Sequence, residues 1–134
     1  MTLALDTTAL LARYLSGPHR RVVLDAMVAD TDWCASALAR SEAEALVDRI
    51  TDNPVERDQL RGAIRADWDR IHVVPVDARC LDDAADLGRD QPLRTVDAIH
   101  LAAAGRLPGP VAFATFDPDQ IPVALALGFD VVST

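Results

Sequence analysis

Short apolar segments alternate with longer helical patterns from one end of the chain to the other. Candidate strands cover residues 3–6, 33–35, 72–76, 111–116 and 129–132. Candidate helices cover residues 8–15, 18–30, 37–50, 54–71, 77–87, 96–107 and 121–127, with Ser36 and Thr95 as predicted N-caps. Continuous apolar strands separated by helices are typical of a parallel sheet that helices cover on both faces. The alternation therefore predicts an α/β fold.

The chain is predicted to form one domain, residues 1–134, because 134 residues are about the length of a single core. Half of its residues are hydrophobic, so it needs no disulfide or structural metal to fold. Cys34 and Cys80 stand alone and are expected to be small buried hydrophobes. The start of the chain does not resemble a signal peptide, and no apolar run approaches the roughly 18 residues of a membrane span. We expect a cytoplasmic protein without membrane contact.

The charge composition excludes several classes of protein. The formal net charge is −8, and all 13 basic residues are arginine. The absence of lysine excludes Schiff-base chemistry, a Walker-type phosphate loop and the phospho-accepting signalling domains that need a lysine near the fifth strand. No GxGxxG follows the first strand, which argues against a dinucleotide cofactor. An acidic chain binds polyanions poorly, so a nucleic-acid substrate would require cations or a local arginine patch.

Three aspartates stand at positions where this kind of fold builds its sites. Asp6 and Asp117 directly follow predicted strands, and Asp97 lies in the first turn of an apolar helix. In open parallel sheets, ligands bind beyond the carboxyl ends of the strands. Each aspartate alone has an ordinary explanation as a turn former or helix-dipole partner. Together they indicate a site.

The third helix contains a glutamate that surface exposure does not explain. With Leu38 set to zero and about 100° per residue, Leu46 and Ile50 lie near 80° and 120°. Glu42 falls near 40°, inside this apolar arc, whereas Glu44 falls near 240°, on the opposite face. Glutamate is almost never fully buried unless it is paired or bound to a metal. We therefore predict a functional role for Glu42 and ordinary surface exposure for Glu44.

Four acids converging on one place would repel one another unless cations neutralise them. Two like charges about 4 Å apart repel by about 4 kcal/mol at an effective dielectric constant of about 20. Mg²⁺ and Mn²⁺ prefer oxygen ligands and suit such a cluster. One or two of these ions can orient a phosphodiester, activate the attacking water and stabilise the leaving oxygen. They would also bridge an acidic pocket to an anionic substrate.

At these residues the chain resembles the PIN-domain family, and within it the VapC toxins of bacterial toxin–antitoxin pairs. The matching segments are residues 5–10 (LDTTAL), 36–42 (SALARSE), 95–102 (TVDAIHLA) and 115–117 (TFD). Each motif is short, but together they span nearly the whole chain in the expected order. The first motif has Thr-Thr where Thr-Ser is common. The resemblance implies a three-layer α/β/α fold with a five-stranded parallel sheet.

The resemblance also implies an activity, namely cleavage of RNA that depends on Mg²⁺ or Mn²⁺. The implied catalytic and metal-binding residues are Asp6, Glu42, Asp97 and Asp117, with Thr8 and Thr115 in supporting positions. A water activated by the metal would attack phosphorus and leave a 5′-phosphate and a 3′-hydroxyl. The implied partners are the RNA substrate, a VapB-like antitoxin and a second copy of the chain in a homodimer. A housekeeping nuclease of the same fold and a catalytically silent interaction domain are the alternatives.

Other polar residues have simpler interpretations. His100 lies one turn after Asp97 and is expected to be a hydrogen-bonded core residue. The arginine row 57, 61 and 65 is expected to be a solvated helix face opposed by acids of its own helix. Asp119 is expected to cap a helix, and the acids at 82, 83, 86 and 90 are expected on the surface. Trp33 and Trp68 are predicted to pack in the core.

Overall fold

Five parallel strands form the central sheet of the computed structural model, which describes residues 1–134. The strand order in the sheet is β3-β2-β1-β4-β5, and every neighbouring pair is parallel. The strands are β1 (Thr2–Leu5), β2 (Asp32–Ser36), β3 (His72–Val74), β4 (Val111–Ala114) and β5 (Asp130–Val132). This confirms the predicted α/β fold with a five-stranded parallel sheet.

Seven helices connect and cover the strands. They are α1 (Thr7–Ala12), α2 (Pro18–Ala29), α3 (Ala37–Ile50), α4 (Pro54–Trp68), α5 (Ala78–Asp90), α6 (Thr95–Gly105) and α7 (Ile121–Ala126). None of them is both long enough and apolar enough to cross a membrane.

The two faces of the sheet carry separate layers of helices, because successive strand residues point to opposite faces. Leu3 and Leu5 of β1 join a core cluster with α1 to α4. Ala4, between them, packs instead with residues of α6 and α7, and a further cluster joins α5 to α6. The molecule is therefore a three-layer α/β/α structure, as the resemblance implied. The central strand β1 lies at its middle.

Both α1 and α6 begin one residue earlier than predicted, and of the two only α1 has a side-chain cap. Asp6 is the N-cap of α1, and its carboxylate accepts a hydrogen bond of 2.9 Å from the Ala9 amide. At α6 the N-cap position belongs to Arg94 and not to Thr95, which is the first residue of the helix. The α1 helix also ends at Ala12 and not at residue 15.

The arginine row on α4 bonds to a neighbouring helix, which corrects the predicted pairing within its own helix. Arg61 bonds Asp48 at 2.7 Å, and Arg65 bonds Glu44 at 2.9 Å, so both pairs join α4 to α3. Arg57 lies 3.5 Å from Asp48. The row therefore connects two helices and is not simply a solvated face.

Several simpler expectations are confirmed. Cys34 and Cys80 are buried and unpaired, and burial raises the pKa of both thiols. Trp33 is buried in the core on the α1–α4 side, and Trp68 packs partly buried against it. The four aspartates of α5 at positions 82, 83, 86 and 90 are exposed.

Candidate active site

Asp6 lies at the carboxyl end of the central strand, beside the end of β4. Leu5 pairs with Ala114 in the sheet, which places residues 6 and 115 at the same edge. One oxygen of the Asp6 carboxylate, Oδ1, accepts from Thr8 Oγ1 at 2.7 Å and from the Ala9 amide at 2.9 Å. The other, Oδ2, accepts from Thr115 Oγ1 at 2.6 Å. Burial raises the pKa of Asp6, although these hydrogen bonds act in the opposite direction.

Asp97 is the second buried carboxylate and is joined to Asp6 by a glutamine. Gln120, the N-cap residue of α7, donates from Nε2 to Asp6 Oδ2 at 3.1 Å and to Asp97 Oδ1 at 2.9 Å. Arg94 contacts both oxygens of Asp97, through Nε at 2.9 Å and Nη2 at 3.0 Å. Gln120 and Arg94 thus approach Asp97 from inside and outside the protein respectively, since Gln120 is buried and Arg94 exposed.

Glu42 reaches the same place from α3. Its Oε1 accepts a hydrogen bond from the Thr7 hydroxyl and lies 3.1 Å from His100 Nε2. The other ring nitrogen of His100, Nδ1, lies 2.9 Å from Ser36 Oγ. Burial alone would raise the pKa of Glu42, but the hydrogen bonds from His100 and Thr7 outweigh it and lower the pKa. His100 is therefore buried and hydrogen-bonded, as predicted, and it also contacts an acid of the site.

The helical phase of α3 differs from the prediction. Its fully buried residues are Ala39, Ala43 and Val47, whose centre lies near 140° on the scale used above. Glu42 and Glu44 flank this stripe about 100° away on either side, and their side chains are 23% and 21% exposed. Glu44 is a surface charge as predicted, but its bonds to Arg40 and Arg65 leave it only partly exposed. The two glutamates therefore differ in their hydrogen-bond and ion-pair partners but not in the exposed fraction of their side chains.

Asp117 lies beside this group, in the turn between β4 and α7. Its Oδ1 accepts from the Asp119 backbone amide at 2.9 Å, and its Oδ2 lies 3.8 Å from Arg94 Nη2. The expectation that Asp119 caps a helix is wrong, because the N-cap of α7 is Gln120. Asp119 stabilises the turn through its backbone and has an exposed side chain.

Three of the four predicted acids share one small pocket. Asp6, Glu42 and Asp97 line a cavity of about 90 Å³, together with Thr7, Thr8, Leu46, Arg94, His100 and Gln120. As the side chains stand, no three His, Cys, Asp or Glu groups are arranged to hold one metal ion. Hydrogen bonds from Gln120, Arg94, Thr7 and His100 hold the carboxylates in this arrangement.

The donor set nevertheless fits a hard divalent cation. All the acidic ligands offer oxygen, and the pocket has room for an ion with one or two waters. Gln120 Oε1 is a buried oxygen with no hydrogen-bond partner, which adds an unsatisfied acceptor next to Asp6 and Asp97. Four carboxylates are balanced by one guanidinium, so the site retains an excess of negative charge unless protons or cations enter.

Comparison with known families decides which proteins this arrangement belongs with. The PIN domain family model matches residues 3–125, which is nearly the whole chain. The chain belongs to the PIN domain family. PIN domains are generally nucleases, which hydrolyse phosphodiester bonds, and they generally use divalent metal ions. The comparison with curated protein sequences found no significant match.

Solved structures with a similar fold include two that are described as toxin–antitoxin systems. FitAcB from Neisseria gonorrhoeae has a TM-score of 0.76 and 16% identity, covering 97% of this chain and 96% of that one. VapBC2 from Rickettsia felis, bound to a promoter DNA fragment, has a TM-score of 0.73 and 11% identity over 100% and 99%. VapBC-5 from Mycobacterium tuberculosis has a TM-score of 0.65 and 17% identity over 99% and 98%. At these sequence identities the likeness shows a shared fold and nothing more specific.

Three polar residues of this PIN domain site were not predicted from the sequence. Arg94 stands three residues before Asp97, a spacing that places both on one face of a helical turn and could have revealed the pair. Thr7 sits between the recognised Asp6 and Thr8, but nothing in the sequence indicates that its hydroxyl reaches Glu42. Gln120 gives no signal, because only the packing of α7 against the sheet buries its amide.

Proposed function

We propose that this PIN domain, residues 1–134, is an endoribonuclease that requires Mg²⁺ or Mn²⁺ and acts as the toxin of a toxin–antitoxin pair. The observation that carries the proposal is the set of four carboxylates gathered around the carboxyl ends of β1 and β4. This edge of a parallel sheet is where such folds bind their ligands. The membership of the PIN family and the likeness in fold to two structures described as toxin–antitoxin systems support it.

In the proposed site, Asp6, Glu42 and Asp97 would hold one divalent ion, and Asp117 would complete the site or hold a second. The ion supplies Lewis acidity, which lowers the pKa of water and neutralises the charge of a phosphodiester. The chain itself fixes the geometry of these ligands. Thr8 and Thr115 each donate a hydrogen bond to Asp6, one to each oxygen. Such hydrogen bonds orient metal-binding carboxylates.

Glu42 is positioned by a second set of contacts that runs through the core. Ser36 and His100 are both buried, and their side chains lie within hydrogen-bond distance of each other. His100 and Thr7 in turn hold Oε1 of Glu42, which leaves its other oxygen for the pocket. Both nitrogens of the His100 ring are engaged in this way. We therefore propose that His100 positions Glu42. In the proposed reaction, water hydrolyses the phosphodiester and leaves a 5′-phosphate and a 3′-hydroxyl.

The proposed antitoxin contact is a cleft of about 560 Å³ between α4, the end of α3, and the turn that joins α1 to α2. Tyr14, Leu15 and Leu60 give it apolar surface, and Arg13 and Arg20 give it charge. An amphipathic helix of a small VapB-like antitoxin fits such a groove. Leu11 and Val23 of the early helices are buried in the core and take no part. We also propose a homodimer, which the mass of the purified protein in solution would test.

Cleavage of RNA by the purified chain tests the proposal. We expect cleavage in Mg²⁺ or Mn²⁺ and none in excess chelator, with 5′-phosphates at the new ends. Asp6→Asn keeps the shape of the side chain but removes its charge, so cleavage should fall by about 100-fold or more. Its thermal stability should stay near that of the wild type, because removal of a buried charge is offset by loss of the oxygen that accepts from Thr115 and Gln120.

Each alternative function has its own signature in this experiment. Undiminished cleavage by the Asp6→Asn variant in excess chelator would overturn the metal-dependent mechanism. No cleavage of any cellular RNA, with 5′ ends mapped across the transcriptome after induction, would favour a silent interaction domain. Cleavage without harm to growth would favour a housekeeping nuclease.

A further inference from the structure

Arg94 combines an exposed side chain with a bond to a buried acid. Its side chain is 71% exposed, whereas that of Asp97 is 3% exposed. Two nitrogens of Arg94 contact the two oxygens of Asp97, at 2.9 and 3.0 Å. One of these, Nη2, also lies 3.8 Å from Asp117 Oδ2. The guanidinium thus covers the side of the pocket that faces solvent.

The position of this guanidinium conflicts with a metal ion on the same carboxylates. Both oxygens of Asp97 are engaged, and the nearest cation to Asp117 is also Arg94. A divalent ion on Asp97 would face a positive charge at short range, and like charges about 4 Å apart repel strongly in a partly buried site. The two cations therefore exclude each other from Asp97.

We infer that Arg94 is a tethered counter-cation that competes with the divalent ion for Asp97 and Asp117. Without metal, it neutralises Asp97, whose burial would otherwise leave a charge unpaired. When the ion binds, Arg94 moves outward, and its exposed stem makes that movement inexpensive. This inference rests on the proposed metal site, and it predicts that metal affinity is set partly by an arginine that is not a ligand.

Mn²⁺ binding to the full chain, measured by isothermal titration calorimetry, tests this competition. Arg94→Gln should bind Mn²⁺ about tenfold more tightly than the wild type, because the competing charge is gone. Arg89→Gln is the matched control, since Arg89 is also exposed and also bonds an aspartate three residues away, Asp86, outside the site. Its Mn²⁺ affinity should stay within about twofold of the wild type.

Thermal unfolding gives a second measurement that does not depend on RNA cleavage. Arg94→Gln should unfold at a lower temperature than the wild type without metal and show a larger rise in that temperature on adding Mn²⁺. If that variant does not fold, Arg94→Lys keeps the charge without the two-pronged contact and should bind Mn²⁺ more tightly than the wild type.

The outcomes separate this inference from the proposed function. Equal or weaker Mn²⁺ binding by Arg94→Gln, with clear binding by the wild type, would overturn the competition and leave the proposed metal site intact. Absence of Mn²⁺ binding by the wild type and by Arg94→Gln would overturn both.

Discussion

The two neighbouring glutamates of α3 are equally exposed, yet their contacts assign them different roles. Glu42 bonds Thr7 and His100 inside the pocket, whereas Glu44 bonds Arg40 and Arg65 at the surface. We expect Glu42→Gln to lower RNA cleavage by about 100-fold or more, because a proposed metal ligand loses its charge. Glu44→Gln should retain cleavage within about twofold, since exposed ion pairs contribute little. Single-turnover cleavage in Mg²⁺ measures both.

Circular dichroism and thermal unfolding of the two variants provide the control for folding. Equal losses of cleavage in both variants, with both folded, would show that α3 presents its acids to the pocket differently from the contacts described. A loss confined to Glu44→Gln would contradict the proposed site.

At the scale of single residues, the sequence reveals acids more readily than their partners. Asp6 and Asp117 follow apolar strands, so their location at the sheet edge follows from local pattern and the rule for parallel sheets. Gln120 has no such pattern, because its contacts with Asp6 and Asp97 cross 114 and 23 residues of chain. Contacts of this kind depend on tertiary packing and are invisible to local periodicity.

At the scale of helices, one acid joins the first helix of the chain to the fourth. Asp67 of α4 accepts a hydrogen bond of 2.8 Å from Arg13 Nε and one of 2.7 Å from the Tyr14 hydroxyl. Arg70 lies 4.0 Å away on the other side. Burial alone would raise the pKa of Asp67, but the bonds from Arg13 and Tyr14 outweigh it and lower the pKa. The ionised form is therefore favoured by folding.

We expect Asp67→Asn to lower the free energy of unfolding at pH 7 by about 1–3 kcal/mol, because it removes charge-assisted hydrogen bonds from a mostly buried pair. The stabilisation should be present above the unfolded pKa of about 3.9 and lost as pH falls through the lower folded pKa. Urea unfolding should therefore show a difference in the free energy of unfolding between Asp67→Asn and the wild type that becomes smaller as the pH falls.

Asp25→Asn is the matched control for this prediction. Asp25 also pairs with an arginine, Arg21, but both side chains are largely exposed. Its substitution should change the free energy of unfolding by less than about 0.5 kcal/mol at any pH. A gap between Asp67→Asn and wild type that is constant with pH would contradict the role assigned to the ionised carboxylate.

The elements themselves follow from sequence better than their orientation does. Apolar strands and helix breakers such as 51–54 locate β1 to β5 and the α3–α4 boundary. The predicted helical phase of α3 is wrong because Leu38, Leu46 and Ile50 dominate the hydrophobic pattern of its sequence. The residues of α3 that are fully buried are instead Ala39, Ala43 and Val47. Small residues allow close helix packing but contribute little to an apolar pattern, so a core rich in alanine obscures which face is inside.

Over the whole molecule, arginine is used mainly to pair with the chain's own acids. Ten of the 13 arginines form salt bridges, which leaves Arg20, Arg49 and Arg79 without one. With a net charge of −8, the chain offers little cationic surface of its own to a polyanion. The proposed binding of RNA at the acidic pocket would therefore depend on the divalent ions proposed there.

The proposed toxin would harm its host unless a partner restrains it. We expect expression of the wild-type chain alone to arrest growth of a bacterial host, and co-expression of the adjacent upstream reading frame to relieve the arrest. The relief should come from a small protein that copurifies with the chain and reduces its affinity for Mn²⁺. An arginine or lysine of that partner entering the pocket would replace the charge of the metal, as Arg94 does within this chain.

The Asp6→Asn variant distinguishes arrest by cleavage from arrest by overexpression. It should accumulate to wild-type levels and leave growth unaffected, while still copurifying with the small partner, because Asp6 is not among the residues that line the proposed antitoxin cleft. Growth curves after induction and the mass of the purified complex measure both. A wild-type chain that is harmless alone and copurifies with no small protein would contradict the toxin assignment, and the same pocket would then belong to a housekeeping nuclease.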